Sequence, residues 1–356
     1  MKFDFFSKST PSLMGVDIST SAVKIVELSR GRKNGYHLKG YSIASVPKDA
    51  IVDGNIVNLE QISDAVQLAW KLLGSNKKQV ALALPSSAVI TKKVLLMAGL
   101  SEDEMEIQVE GEANQYIPFP LEEVNIDFQI IGPVPNNPED AEVLIAAARK
   151  EKIEDRVAAA EGAGLEVIVM DVDTYATEAA YALIAAQLPK SSKGQAVMIV
   201  DMGATMMHIN VLNGSQSIYV REQAFGCGQL TQEIQRRFGL SAEEAELAKR
   251  KGGLPDSYEV EVLLPFIESL ANEVVRALQF FTSSTQYNGV NHIVLAGGGA
   301  VIPAIDEAVK AKTQINTTVA NPFHAMSLGS KVNHQQIAMD APTLMVACGL
   351  AMRGVS

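Results

Sequence analysis

Near its start the chain places two apolar runs, "MGVDI" and "AVKIVEL", on either side of Ser19, Thr20 and Ser21. That pattern predicts a hairpin of two apolar strands joined by a small polar tip. "YHLKGYSIASVP" alternates as a third strand. "NLEQISDAVQLAWKLLG" carries its apolar residues at helical spacing, with Gly74 placed to stop the helix, and "QVALALP" reads as a buried strand. A strand meander followed by helix and strand predicts an α/β lobe with a mixed sheet.

From Ser86 to Leu165 the texture changes. "AVITKKVLLM" reads as a strand, and "SEDEMEIQVEGEANQY" as a helix opened by the capping box of Ser101 and Glu104 and ended by Pro118 and Pro120. "EVNIDFQIIG" directs Val124, Ile126, Phe128 and Ile130 inward. The turn "PVPNNPED", a strand "EVLIAAAR" and a helix stopped at Gly164 complete a β-α-β-β-α unit. The strand "EVIVMDV" and a helix around "TYATEAAYALIAAQ" then lead to the polar linker "PKSSKGQ".

Beyond the linker the opening layout returns. "VMIVDMGATMMHINVL" is again an apolar strand ending in an acid, a small-residue tip and a second strand. Helical segments follow in "GQLTQEIQRRFGLSAEEAELAKRKG" and in a long stretch ending near "LQFFTSSTQYN". Next come the strand "HIVLAGGGA", a helix expected to start at Pro303, and a short buried helix in "PTLMVACGLAMR".

Bulk properties narrow the options. At 356 residues the chain exceeds what one core serves, so two or more lobes are expected. A net charge of -11 repels a phosphate backbone, which argues against nucleic acid as a partner. Cys227 and Cys348 lack disulfide or zinc spacing and suit a reducing cytoplasm. The N-terminal segment has no secretory pattern and no run is long enough to span a bilayer, so a soluble protein is expected. Phe3, Phe5 and Phe6 are expected to belong to an arm packed on the body.

The candidate chemistry lies in the two hairpins. Asp17 and Asp201 would repel phosphate directly, but they could orient waters on a magnesium ion that bridges phosphate oxygens. The tips Ser19-Thr20-Ser21 and Gly203-Ala204-Thr205 leave backbone N–H groups reachable and add hydroxyl donors, while Lys24 supplies positive charge. Gly297, Gly298 and Gly299 let a ligand lie against backbone. They are not a dinucleotide fingerprint, because Ile302 stands where a third Gly or Ala is wanted. Ser241 and Glu244 box a helix on which Glu246 faces Lys249 and Arg250 one turn on. Taken singly, each feature has a plain alternative: an Asp bonding its own turn, an ordinary glycine turn, a surface ion pair.

Taken in order, they resemble the actin, Hsp70 and FtsA superfamily. "GVDISTSAVKIVEL" is similar to its phosphate-1 motif, "VDMGATMMHINVL" to phosphate-2 and "IVLAGGGAVIPAI" to the adenosine motif. "DVDTYATEAAYAL" and "APTLMVACGLAMR" resemble its two connecting helices, and "GCGQLTQEIQRRFGLSAEEAELAKR" the segment whose Glu and Lys border the nucleoside. "NQYIPFPLEEV", "LQFFTSSTQYN" and "ANPF" narrow the resemblance to the PilM family of cytoplasmic actin-like proteins of type IV pilus assembly. The fold implied is α/β, of actin-like or Hsp70 type, with two lobes of duplicated mixed sheets and an inserted 1C-like α+β subdomain. Its implied boundaries are 1–85, 166–192 and 340–356 for lobe 1 (1A), 86–165 for 1C, 193–224 and 290–339 for lobe 2 (2A), and 225–289 for 2B.

The resemblance further implies ATP or ADP with Mg, the nucleotide sitting between two lobes, and a groove beside 1C that docks the N-terminal cytoplasmic peptide of PilN. Other pilus inner-membrane and motor components are expected partners, homo-oligomerisation is allowed for, and membrane association would be indirect, at the inner membrane. Phosphate-2 departs from the Hsp70 and FtsA pattern, because His208 stands where that pattern ends in an acid; actin too has His there. Asp173, with Asp171 as its rival, occupies the place of the catalytic Glu of Hsp70, though either acid could equally cap the following helix. Losing one positioned group can leave binding intact while hydrolysis slows. The expected function is therefore an ATP-binding platform with weak or absent hydrolysis. The alternative is an active actin-like ATPase or a filament-forming FtsA-type protein, and a sugar or acid kinase is disfavoured by the inserted unit.

Overall fold

The computed structural model describes residues 13–31, 35–134, 137–189 and 196–355, without the side chains of residues 250 and 251. The arm bearing Phe3, Phe5 and Phe6, the tip of the "PVPNNPED" turn and most of the "PKSSKGQ" linker lie outside the described residues.

In chain order, β1 (Met14–Ile18), β2 (Ala22–Arg30) and β3 (Tyr36–Ser45) form the expected meander, followed by the short hairpin β4 (Ile51–Val52) and β5 (Asn55–Ile56). Helix α1 (Leu59–Leu73) starts at the Asn58 side chain, which accepts from the Gln61 N–H, and stops where Gly74 turns left-handed at φ 66°. After β6 (Gln79–Leu84) come β7 (Val89–Met97), α2 (Glu102–Tyr116), β8 (Val124–Val134), β9 (Asn137–Arg149) and α3 (Lys150–Gly162). The Ser101 and Glu104 capping box opens α2. Strand β10 (Glu166–Val172) then runs into α4 (Asp173–Ala185).

The second half repeats the meander with β11 (Ala196–Met202), β12 (Met207–Asn213) and β13 (Gln216–Gln223). Helices α5 (Gly228–Phe238), α6 (Ala242–Lys251) and α7 (Leu264–Ser284) follow, then β14 (His292–Ala296), α8 (Ile305–Thr313), β15 (Thr317–Val319), β16 (Ser327–Leu328), α9 (His334–Asp340) and α10 (Met345–Met352). Pro303 does not open α8. It lies in a turn, and Ala304 is left-handed at φ 60° before the helix begins at Ile305.

The chain divides into two compact units, residues 1–176, 327–331 and 346–356 in the first, and 177–326 and 332–345 in the second. It passes from the first to the second within α4, revisits the first over residues 327–331, which include β16, and returns to it at the start of α10. The first unit holds a six-stranded sheet ordered β10-β6-β1-β2-β3-β16, and the second a five-stranded sheet ordered β13-β12-β11-β14-β15. In each, an antiparallel meander is extended by a strand parallel to its first member, β6 on β1 and β14 on β11. The duplication visible in the two hairpins thus extends to whole sheets.

Both sheets are covered on both faces, which is why their strands read as continuous apolar runs. In the first unit Met14, Val16 and Ile18 face a core shared with α1 and α3. Leu13, Ala81 and Val169 face Ala176, Val346 and Leu350 on the opposite side. In the second, Met198, Val200 and Met202 face Leu230, Leu270 and Val274, and Val197 and Ile199 face Tyr181, Ile184 and Met345. The three-stranded sheet β7-β9-β8 has its own core with α2, built on Val94, Met105, Val109 and Val143. Helix α3 instead packs into the core of the six-stranded sheet. On β8 the inward alternation stops short: Ile130 pairs with buried Val143 yet is 51% exposed, because it lies beyond the core that Val124, Ile126 and Phe128 join.

Helix α10 reaches β1 only because Gly15 lacks a side chain. A Cβ there would lie 2.1 Å from the Ala347 carbonyl oxygen and 2.4 Å from the Ala351 nitrogen. Across the same helix, a Cβ on Gly349 would meet the Ala176 oxygen at 1.8 Å. Backbone cannot swing aside as a side-chain tip can. Gly15→Ala is therefore expected to destabilise the protein by about 3 kcal/mol or more in denaturant titration.

Candidate functional site

Register decides what each hairpin can present. Along β1, Gly15 and Asp17 share the face opposite Met14, Val16 and Ile18, because side chains alternate. On β11, Asp201 likewise continues the face of Val197 and Ile199. In the antiparallel pairing Lys24 lies directly across from Asp17, and His208 directly across from Asp201. Each hairpin therefore ends in an acid with a basic residue at the matching position of its partner strand.

In the first hairpin these side chains meet. Lys24 Nζ donates to Asp17 Oδ2 at 2.7 Å and to Ser19 Oγ at 3.2 Å. Both members of the ion pair are largely shielded, at 16% and 14% side-chain exposure. Ser19 spends its own N–H and hydroxyl on the Ala22 carbonyl, at 3.0 and 2.8 Å, which closes the tip. Thr20 is half-buried and Ser21 exposed. The Lys24 charge expected to face a phosphate is, in this state, held by Asp17.

In the second hairpin the Gly203 N–H donates to the Met206 carbonyl at 3.0 Å, forming a turn with Ala204 half-buried and Thr205 exposed at its apex. The outer carbonyls of this tip are taken up by the start of α5. Cys227 N–H donates to Gly203 at 2.9 Å, and Gly228 N–H to Ala204 at 2.8 Å. The approach needs Gly226, where a Cβ would lie 2.3 Å from the Ala204 oxygen. The α5 N-terminus, with its partial positive charge, is thus docked against the tip. The sequence predicts this helix but not its docking on the tip, for which the Gly-Cys-Gly preceding it was the available signal.

The glycine loop closes on the same hairpin. A Cβ on Gly297, whose φ is 78°, would stand 2.2 Å from Asp201 Oδ1, so the carboxylate lies against bare backbone. Gly299 would meet Cys227 Sγ and Met202 Cβ, each at 2.6 Å, whereas Gly298 has open space. On α6, Lys249 Nζ is 2.5 Å from Glu246 Oε2, and both bond Thr231 of α5 at 2.9 Å. Burial pushes the Cys227 thiol up to about 11, opposed by Lys249 and assisted by Asp201 and Glu246, so these charges act on one locus. That keeps Cys227 a protonated packing group. The Arg250 side chain lies outside the described residues.

Of the two water-orienting candidates, the acids occupy different environments. Asp171 is buried at 1% exposure and bound by Arg353, whose Nε donates to Oδ2 at 2.6 Å; burial holds its carboxyl above the ordinary range against that cation. Asp173 is half-buried and accepts the Ser86 N–H at 3.1 Å. His208 is half-buried in the second unit, and its Nδ1 makes no hydrogen bond but lies 3.7 Å from Glu222 Oε1, the neighbouring carboxylate across the sheet. No group of three or more metal-ligating side chains occurs among the described residues.

Two features of the first unit had escaped sequence reading. Arg156 on α3 is only 5% exposed, and burial lowers its pKa while Asp173, Asp17 and Asp155 act to raise it. Its position three residues after Ile153 and three before Ala159 on the buried stripe was the signal. A cleft of about 310 Å³ opens beside the three-stranded sheet, lined by Ile90, Phe119, Val124, Arg149 and Lys152 among others. Arg149 stands over the Phe119 ring, 5.3 Å from its centroid, with its Nε buried and unbonded.

The chain matches the family model described as type IV pilus assembly protein PilM over residues 15–355. It is similar to a chain of a PilM-PilN type IV pilus biogenesis complex, with a TM-score of 0.79 and 28% identity, covering 97% of this chain and 99% of that one. The ethanolamine utilization protein EutJ from Carboxydothermus hydrogenoformans follows with a TM-score of 0.55 and 17% identity, covering 99% and 92%. A diol dehydratase-reactivating factor in nucleotide free form gives 0.53 and 10%, covering 97% and 99%. These last two likenesses are of fold alone, and the fold is the actin-like α/β fold.

The Asp17 and Lys24 pair has a direct consequence. Lys24→Met leaves a shielded carboxylate without its cation and is expected to cost roughly 1–3 kcal/mol in the denaturation midpoint at neutral pH. An unchanged midpoint would show that water already satisfies Asp17.

Proposed function

The chain belongs to the type IV pilus assembly protein PilM family, and on that premise we propose that it is an ATP-binding platform of the pilus inner-membrane assembly complex that docks the N-terminal tail of PilN. Asp17, Ser19, Thr20, Ser21 and Lys24 would serve the nucleotide from the first hairpin. Asp201, Gly203, Ala204, Thr205 and the Gly297–Gly299 loop would serve it from the second unit, with Glu246, Lys249 and Arg250 toward the nucleoside. What supports the fit is a pair of acids at strand ends, with glycine backbone bared beside one of them. A magnesium ion would neutralise phosphate charge next to these acids, which would hold it through water.

The observation that carries the docking half of the proposal is the cleft. Ile90, Phe119 and Val124 give it an apolar wall, and Arg149 and Lys152 add positive charge. An extended peptide with an apolar anchor and an acidic or carbonyl-rich face fits that chemistry, and Arg149 Nε has an unused donor for it. Among the described residues no helix is long and apolar enough to cross a membrane, so gripping a membrane protein's tail would supply the attachment. Asp173 and His208 remain the proposed water-orienting pair for any hydrolysis.

The test is fluorescence anisotropy of a labelled peptide of the PilN N-terminal tail with the full chain. Phe119→Ala and Arg149→Ala are each expected to weaken binding by tenfold or more, equivalent to about 1.4 kcal/mol, with circular dichroism unchanged. Wild-type affinity in both variants would overturn the assignment of this cleft.

A further inference from the structure

We infer that Arg156 mechanically links the first phosphate hairpin to the docking cleft, so that nucleotide and tail each alter the affinity for the other. The inference rests on the nucleotide and tail reading above. Arg156 Nη1 donates to the Ile18 carbonyl at 3.2 Å, and Nη2 donates to the Gly54 carbonyl at 3.3 Å. Ile18 immediately follows Asp17 at the end of β1. Gly54 sits in the two-residue turn joining β4 and β5, and it lines both the cleft and a smaller cavity beside it that Arg156 itself lines. A single planar fork therefore fixes the spacing between the hairpin tip and the cleft wall.

The turn it holds is a tight one. Asp53 and Gly54 are both left-handed, at φ 49° and 76°, so the backbone conformation of the wall is sharply defined and depends on its anchor. Lys152, one helical turn before Arg156 on α3, lines the cleft, so the same helix contributes a cation to the cleft and a guanidinium to the hairpin.

Charge gives the link something to respond to. The buried guanidinium is stabilised by Asp17 and Asp173, the acids assigned to the nucleotide, together with Asp155. Phosphate or a cation arriving at those acids changes the field on Arg156 where little water screens it. Any resulting shift in its bond to Ile18 is transmitted to Gly54, because both bonds come from one rigid group. Linkage then requires the effect to be reciprocal.

The experiment titrates the labelled PilN-tail peptide into the full chain with and without saturating magnesium and ATP, for wild type and Arg156→Lys. The lysine keeps the charge and loses the fork. Wild type is expected to show at least a fivefold change in peptide affinity on adding nucleotide, and the variant a ratio near one while still binding each ligand alone. Equal affinities in wild type, or the wild-type ratio persisting in the variant, would overturn the link. If Arg156→Lys does not fold, hydrogen exchange of wild type decides: magnesium and ATP must change protection of the amides of residues 53–56, and no change there overturns it. Should wild type bind no nucleotide, the nucleotide reading fails separately, and exchange without ligand decides the link. Arg156→Lys must then loosen both the 19–22 tip and the 53–56 turn, and an effect on one alone contradicts it.

Discussion

Strand register is the constraint on which the rest of the structure depends. Asp17 faces Lys24, and Asp201 faces His208, only because each hairpin pairs in one register. A slip of one residue would turn an entire strand over, sending its acid into an apolar layer and its core residues to the other face. Burial on both faces forbids that slip. The cores around Val16 and Val200 thus help hold the carboxylates at the strand ends.

Helix packing then builds on the fixed strands. Gly15 and Gly349 let α10 sit between β1 and the start of α4, and the bond from half-buried Arg353 to buried Asp171 ties the end of that helix to β10. In the second unit, Gly226, Gly297 and Gly299 bring α5 and the loop after β14 onto the second tip. In each case a missing side chain, rather than an added contact, allows two backbone segments to approach. Helix α3 serves two neighbourhoods of the first unit, packing its apolar stripe under the six-stranded sheet while Lys152 lines the cleft.

Much of this was legible in the sequence. The hairpins, the stop of α1 at Gly74 and the capping box of α2 follow from local chemistry, and local chemistry is what a sequence displays directly. The PilM family and the actin-like fold were reached from the order of motifs, which is also local information. Long-range approach was not legible. The Gly-Cys-Gly around Cys227 signals a close backbone approach but not its target, Gly203 and Ala204, each 24 residues back from its donor. Arg156 reads as a surface charge until its place on the stripe of Ile153 and Ala159 is considered. Pro303 misled because the left-handed Ala304 delays the helix, and Ile130 because correct orientation does not ensure burial beyond the end of the core.

The central proposal is that the two duplicated hairpins would serve one magnesium nucleotide. Calorimetric titration of nucleotide-stripped protein with magnesium and ATP, beside Asp17→Ala and Asp201→Ala, tests it most directly. The account predicts saturable binding by wild type and loss of at least tenfold in affinity in each variant, with folding intact. Wild-type affinity in either folded variant, or no binding by folded wild type, would contradict it.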